Sequence, residues 1–111
     1  MTAPTSISAT QNTYSDKIEI NWAKVADASV YALYNNSTND ASTAVLISDS
    51  INTNFYTDYV AANTTNFYWV TSGNGEIWSK FSLSARGSSA IPEPACFFII
   101  LGMAAVIRKK L

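Results

Sequence analysis

One short stretch limits what this chain can fold into. From Ile18 to Trp22 the side chains alternate, with Ile18, Ile20 and Trp22 apolar and Glu19 and Asn21 polar between them. A period of two sends successive side chains to opposite faces of a strand, so one face meets a core and the other meets water. The same pattern recurs along the chain. Ile7 and Ala9 predict a first strand, Tyr31 and Leu33 alternate with Ala32 and Tyr34, and Ala44 to Ser48 reads as a short apolar strand. Thr53 to Tyr59 reads as another. Asn66 to Ser72 holds the densest aromatic run, and Ser79 to Ala85 predicts the last strand, with Phe81 and Leu83 on one face. Turn-forming residues separate these runs at Lys24–Ala28, Asn35–Thr43, Asp49–Asn52 and Gly73-Asn74-Gly75. Short strands at about ten-residue spacing, with no helical pattern between them, predict an all-β chain: a seven-stranded antiparallel β-sandwich.

The chain has 111 residues, enough for one domain and a tail. Up to position 90 there are four bases, Lys17, Lys24, Lys80 and Arg86, against seven acids, and the whole chain carries a net charge of −1. A sparse, mildly acidic body lacks the basic stripe of a nucleic-acid binder. There is no histidine, so no Ser-His or Cys-His nucleophile and no His-ligated metal. The single cysteine, Cys96, lies in an apolar run and reads as a small hydrophobe. The acids, Asp58 among them, are scattered and read as solvated surface groups rather than a glycosidase pair. The loop Asn35–Asp40 offers oxygen ligands, but with one acid and no ordered spacing it reads as a solvated loop, not a calcium site. No catalytic residue, cofactor or metal is expected.

The aromatic residues are the chemistry that stands out. If Tyr68 and Val70 face inward, then Phe67 and Trp69 face outward, and so does Tyr34 on the neighbouring strand. An outward Tyr34–Phe67–Trp69 patch could stack on polysaccharide or dock a neighbouring domain. The competing reading is cross-strand packing that stabilises the sheet by about 0.2–1 kcal/mol per pair.

Residues 91–111 differ from everything before them. Pro92-Glu93-Pro94 is stiff and extended, because each proline fixes φ and restricts the residue before it. Ala95 to Ile107 is apolar on all sides, which predicts a short hydrophobic helix that prefers lipid. At 1.5 Å per residue it reaches roughly 20 Å, short of the ~30 Å of hydrocarbon in a bilayer. Arg108, Lys109 and Lys110 then favour the cytoplasmic side, with the body outside. Motif, apolar run and basic terminus together resemble the PEP-CTERM sorting signal of Gram-negative bacteria. That resemblance implies a membrane transpeptidase, an exosortase, as partner, with cutting near Pro92-Glu93-Pro94, and at least transient membrane insertion. Proteins with such tails carry a signal peptide. Met1 to Ser6 has neither a basic nor an apolar leader segment, so the expectation is that the chain is the C-terminal part of a longer exported protein or that its start is misassigned.

The body is similar to a fibronectin type III domain over positions 3–87. The likeness rests on Pro4, Trp22, Tyr31-Ala32-Leu33-Tyr34, the stretch Val60 to Ser72 with Thr64, and the hairpin Gly73-Asn74-Gly75 followed by Ser79 to Ser82. It implies inward Tyr68, Val70 and Ser72. It departs at Asn66, which stands where the family places a corner tyrosine, so either Phe67 shifts register to fill that role or this copy lacks the corner. The expected organisation is therefore a sandwich over 1–87, a linker with the motif over 88–94, and the sorting tail over 95–111, with Gly87-Ser88-Ser89 read as a short flexible link into the tail. Expected functions are a non-catalytic surface or matrix domain, a carbohydrate-binding module of a secreted enzyme, or a membrane-anchored adhesin.

Overall fold

A computed structural model describes residues 1–92. The expected C-terminal helix, Glu93, Pro94, Arg108, Lys109 and Lys110 all lie outside the described residues. Among the described residues, no helix is long and apolar enough to cross a membrane.

The alternating runs become strands β1 (Ser8–Ala9), β2 (Lys17–Asn21), β3 (Val30–Asn36), β4 (Val45–Ile51), β5 (Phe55–Tyr59), β6 (Thr65–Gly73) and β7 (Ala85–Ser88). They form two antiparallel sheets, ordered β1-β2-β5 and β4-β3-β6-β7. Between the sheets lie Ile18, Ile20 and Trp22 from the β2 region, Tyr31 and Leu33 from β3, Ile51 from β4, and Tyr68 and Val70 from β6. Trp22 and Tyr31 meet edge to face, with ring centroids 5.5 Å apart. Ser72, the third inward position on β6, is fully buried as well. Its hydroxyl donates to the Thr2 carbonyl and ties the start of the chain to the far end of that strand.

Three local expectations need correction. The predicted turn at Asp49–Asn52 is mostly strand: β4 runs on to Ile51, which is 7% exposed and pairs with Tyr31 across irregular register. Burying Ile51 outweighs the turn preference of Asp49 and Ser50, and bulges let the strand realign.

The last strand begins later than predicted, at Ala85 rather than Ser79. Residues 79–84 still bind β6, but through serine hydroxyls. The Ser72 amide donates to Ser79 Oγ (2.9 Å) and the Val70 amide to Ser82 Oγ (3.0 Å). The Ser79 and Ser82 amides donate to the carbonyls of the same two β6 residues. Ser79 and Ser82 are three positions apart and their partners two, so one extra residue bulges out. Phe81 and Leu83 therefore do not share a buried face: Leu83 is 86% exposed.

The domain also extends past position 87. Gly87 and Ser88 belong to β7, and Ser89 is buried, donating to the Ala61 carbonyl (2.7 Å) and accepting from the Thr64 amide (2.9 Å). A Cβ on Gly87 would stand 2.6 Å from Ile18 Cγ2, so this glycine permits close approach of the two sheets rather than linker flexibility. Gly75 plays the other role, at φ +96° in the hairpin turn.

Candidate functional site

The predicted patch residues lie on the outer side of the four-stranded sheet. Tyr34 on β3 pairs in register with Trp69 on β6, and Phe67 lies two residues before Trp69 on the same strand. The ring cluster differs from the predicted one. Phe81 stacks against Tyr34 at 4.7 Å between centroids and against Trp69 at 6.4 Å. Phe67 joins none of the ring pairs seen among the described residues, and it stands in register with Asn36 and Arg86. Trp69 is 4% exposed, so it faces outward and yet is covered. Alternation along β6 indicated the direction of Trp69. It could not show that the serine-anchored bulge would lay Phe81 over it.

The three-stranded sheet presents the opposite case. On β5, Phe55, Thr57 and Tyr59 face outward, opposite Asn21, Glu19 and Lys17 of β2. Phe55 is 58% exposed and Tyr59 74%. At one end of this face the Lys17 ammonium lies 4.5 Å above the Tyr14 ring, and Tyr14 Oη donates to Glu19 Oε1. Inward from the same strand, Asp58 accepts a hydrogen bond from the Tyr68 hydroxyl (2.7 Å). Asp58 is thus not the freely solvated acid the sequence indicated. Burial of Tyr68 raises its phenol pKa well above the ordinary 10.0, and the Asp58 carboxylate pushes it further the same way. Register predicts this contact once it is known: Ile18 pairs with Asp58, which puts both on the core side.

No tyrosine corner forms among the described residues. Asn66 makes only a long contact, Nδ2 to Tyr68 Oη at 3.5 Å, and Phe67 does not take over the role. Instead, the hydroxyls of Thr64 and Ser89 both donate to the Ala61 carbonyl, at 2.7 Å each, and hold the β5–β6 connection. Asn63 takes positive φ within it.

The loop Asn35–Asp40 is occupied with itself. Asp40 Oδ1 accepts from the Ser42 amide and hydroxyl, which lowers its pKa, and Asn36 Nδ2 donates to the Asp40 carbonyl and to Thr43 Oγ1. No group of three or more acids, cysteines or histidines placed to hold a metal occurs among the described residues. A cleft of about 160 Å³ lies between Lys24–Tyr31 and Asn52–Asn54, where the Val25 amide donates to the Tyr31 hydroxyl.

The two antiparallel sheets, with β4 beside β3 and β1 beside β2, make a β-sandwich with a fibronectin type III-like fold. Solved structures agree. A Fn3-like protein from Clostridium thermocellum superposes with a TM-score of 0.71 at 22% identity, over 83% of this chain and 96% of that one. Part of the beta-1,2-glucanase from Parabacteroides distasonis superposes with a TM-score of 0.67 at 22% identity, over 81% of this chain and 13% of that one. The chicken CNTN1 FN1-FN3 domains match with a TM-score of 0.62 at 18% identity, over 78% and 29% of the two chains. No protein-family model matches the chain, and no curated protein matches it.

Proposed function

We propose that this is a non-catalytic spacer or interaction domain of a bacterial surface or matrix protein, exported and then sorted by an exosortase acting on its tail. The path of the chain carries this reading. The start of the chain is bound at Ser72, near the end of β6. The end of the body is bound at the other end of that strand, where the Ala90 amide donates to the Tyr14 carbonyl (2.7 Å) and Ser89 bonds Thr64. At 3.4 Å per strand residue, Ser72 and Thr64 are about 27 Å apart. A domain strung end to end in this way holds whatever precedes it away from its tail. Ile91 and Pro92 leave the far end exposed, which suits access to Pro92-Glu93-Pro94 by a processing enzyme.

Mass spectrometry of the mature protein, from a host encoding an exosortase, tests the reading. The expected product lacks Arg108, Lys109 and Lys110 and ends near the Pro-Glu-Pro motif. An intact basic terminus would overturn sorting in favour of a membrane-anchored adhesin.

A second reading, a polysaccharide-binding module of a secreted enzyme, is favoured by one observation: Phe55 and Tyr59 are exposed on the outer face of the three-stranded sheet. Pull-down on insoluble polysaccharide, lost in Phe55→Ser, would support it. Unchanged retention in Phe55→Ser would remove it.

A further inference from the structure

The tail-side end of the domain is built from a few segments bonded to one another. The Val60 amide donates to the Asp16 carbonyl, the Ala90 amide to the Tyr14 carbonyl, and the Asn63 amide to the Ala90 carbonyl. Lys17 pairs with Tyr59, and its ammonium lies over Tyr14. This end therefore gathers Tyr14, Lys17 and Tyr59 beside the point where the chain leaves through Ile91. Two of these residues are apolar groups left largely in water: Tyr59 is 74% exposed and Ile91 71%.

The tether to the apolar run is short. Ile91 and Ala95 are four residues apart, which spans at most about 14 Å even when fully extended. The headgroup layer on one side of a bilayer takes up about 5–8 Å of that. The apolar run is itself shorter than the hydrocarbon thickness, and such mismatch draws flanking residues toward the bilayer. The basic cluster Arg108-Lys109-Lys110 resists being pulled in from the other side. Ile91 is the nearest exposed apolar residue on the body side.

We infer that this end of the domain, through Tyr14, Lys17, Tyr59 and Ile91, rests in the headgroup layer of the bilayer that holds the tail. The inference rests on the reading of residues 95–107 as a membrane segment. The chemistry fits that partner. Tyrosine places an apolar ring and a polar hydroxyl on either side of the boundary, which is why such rings collect at membrane interfaces. Lysine lays its stem along apolar surface and keeps its ammonium among the headgroups. Among the described residues, the charged groups near Lys17 are few: Glu19 Oε2 lies 3.7 Å from the ammonium, and Asp16 is its chain neighbour. Asp58 is turned inward to Tyr68. The domain then stands upright on the membrane, with its β6–β7 hairpin loop farthest from it.

The test uses the full chain with Cys96→Ser, carrying either Tyr59→Cys or Ile77→Cys labelled with bimane. Ile77, 52% exposed, lies in the hairpin loop at the opposite end. Each protein is reconstituted into phosphatidylethanolamine–phosphatidylglycerol vesicles containing headgroup spin-labelled lipid, and flotation is measured on the same samples. The expected result is co-flotation, strong quenching at position 59 and none above the vesicle-free background at position 77. Co-flotation with equal quenching at both positions overturns the seating of this end and leaves the membrane reading standing. Failure to float overturns both.

Discussion

The two outer faces of this sandwich carry aromatic residues of similar type and treat them in opposite ways. On the four-stranded sheet, Trp69 is covered by Phe81 and keeps 4% of its surface; on the three-stranded sheet, Tyr59 keeps 74%. Both residues sit at outward positions of their strands. The difference comes from the neighbouring chain. Beside β6 runs an irregular segment whose bulge projects Phe81 over the sheet, held by Ser79 and Ser82. Among the described residues no such segment runs beside β5: it is an edge strand, and its outward neighbours are Lys17, Glu19 and Asn21 of β2. Direction is a property of the strand, whereas cover is a property of what packs next to it.

This contrast predicts a graded mutational response. Trp69→Ala removes a covered indole and leaves a void, so urea denaturation should show a loss of about 3 kcal/mol, with retention on insoluble polysaccharide unchanged. A near-neutral Trp69→Ala would mean that the outer face is open after all. Phe81→Ala strips the cover, with an expected cost of about 1–2 kcal/mol and a red shift of tryptophan emission as Trp69 meets water. An unshifted emission maximum would show that Phe81 is not what shields the indole. At the other end of the scale, Phe55→Ser and Tyr59→Ser should each change stability by no more than about 0.5 kcal/mol, because the exposed rings lose little on truncation. A larger effect in denaturation would show that the three-stranded face is covered in solution.

Between these lies Tyr68→Phe, which tests the inward side of the same two strands, β5 and β6. Removing the hydroxyl from Asp58 should cost about 1 kcal/mol near neutral pH. The pH dependence carries a sign. The folded-state pKa of Tyr68 is raised, so the unfolded chain ionises first as pH rises through 10.0. The folded state then binds more protons than the unfolded one, and the contribution of Tyr68, complete below that pH, is lost above it. Urea midpoints should fall above pH 10 more steeply in the parent than in Tyr68→Phe, and parallel curves would rule this linkage out.

Much of the fold was legible in single strands. Ile18, Ile20, Leu33, Tyr68 and Val70 are all fully buried, as their alternation or family position implied. The candidate site was less legible. Tyr34 and Trp69 stand opposite each other in register across β3 and β6, but the ring that packs on both is Phe81, fourteen residues after Phe67 in the chain and brought in by a bulge that no periodicity encodes. Gly87-Ser88-Ser89 misled in the opposite direction. Small polar residues resemble a linker, yet here the glycine admits Ile18 and Ser89 buries its hydroxyl against Ala61. Asn66 marked a departure from the family's corner tyrosine, but it did not say what holds the connection in its place: two hydroxyls, from Thr64 and Ser89, converge on the Ala61 carbonyl.

By itself, the sequence determined the fold class, the inward face of most strands, the absence of histidine chemistry and the separate character of residues 91–111. These follow from local period and composition, which are set within a few residues. Only the tertiary structure decided which outward aromatics are covered, where the last strand begins, that Asp58 holds Tyr68, and that Tyr59 and Ile91 come to one end of the domain. Each of those depends on contacts between residues far apart in the chain. Register, bulges and loop paths select such contacts, and no local pattern specifies them.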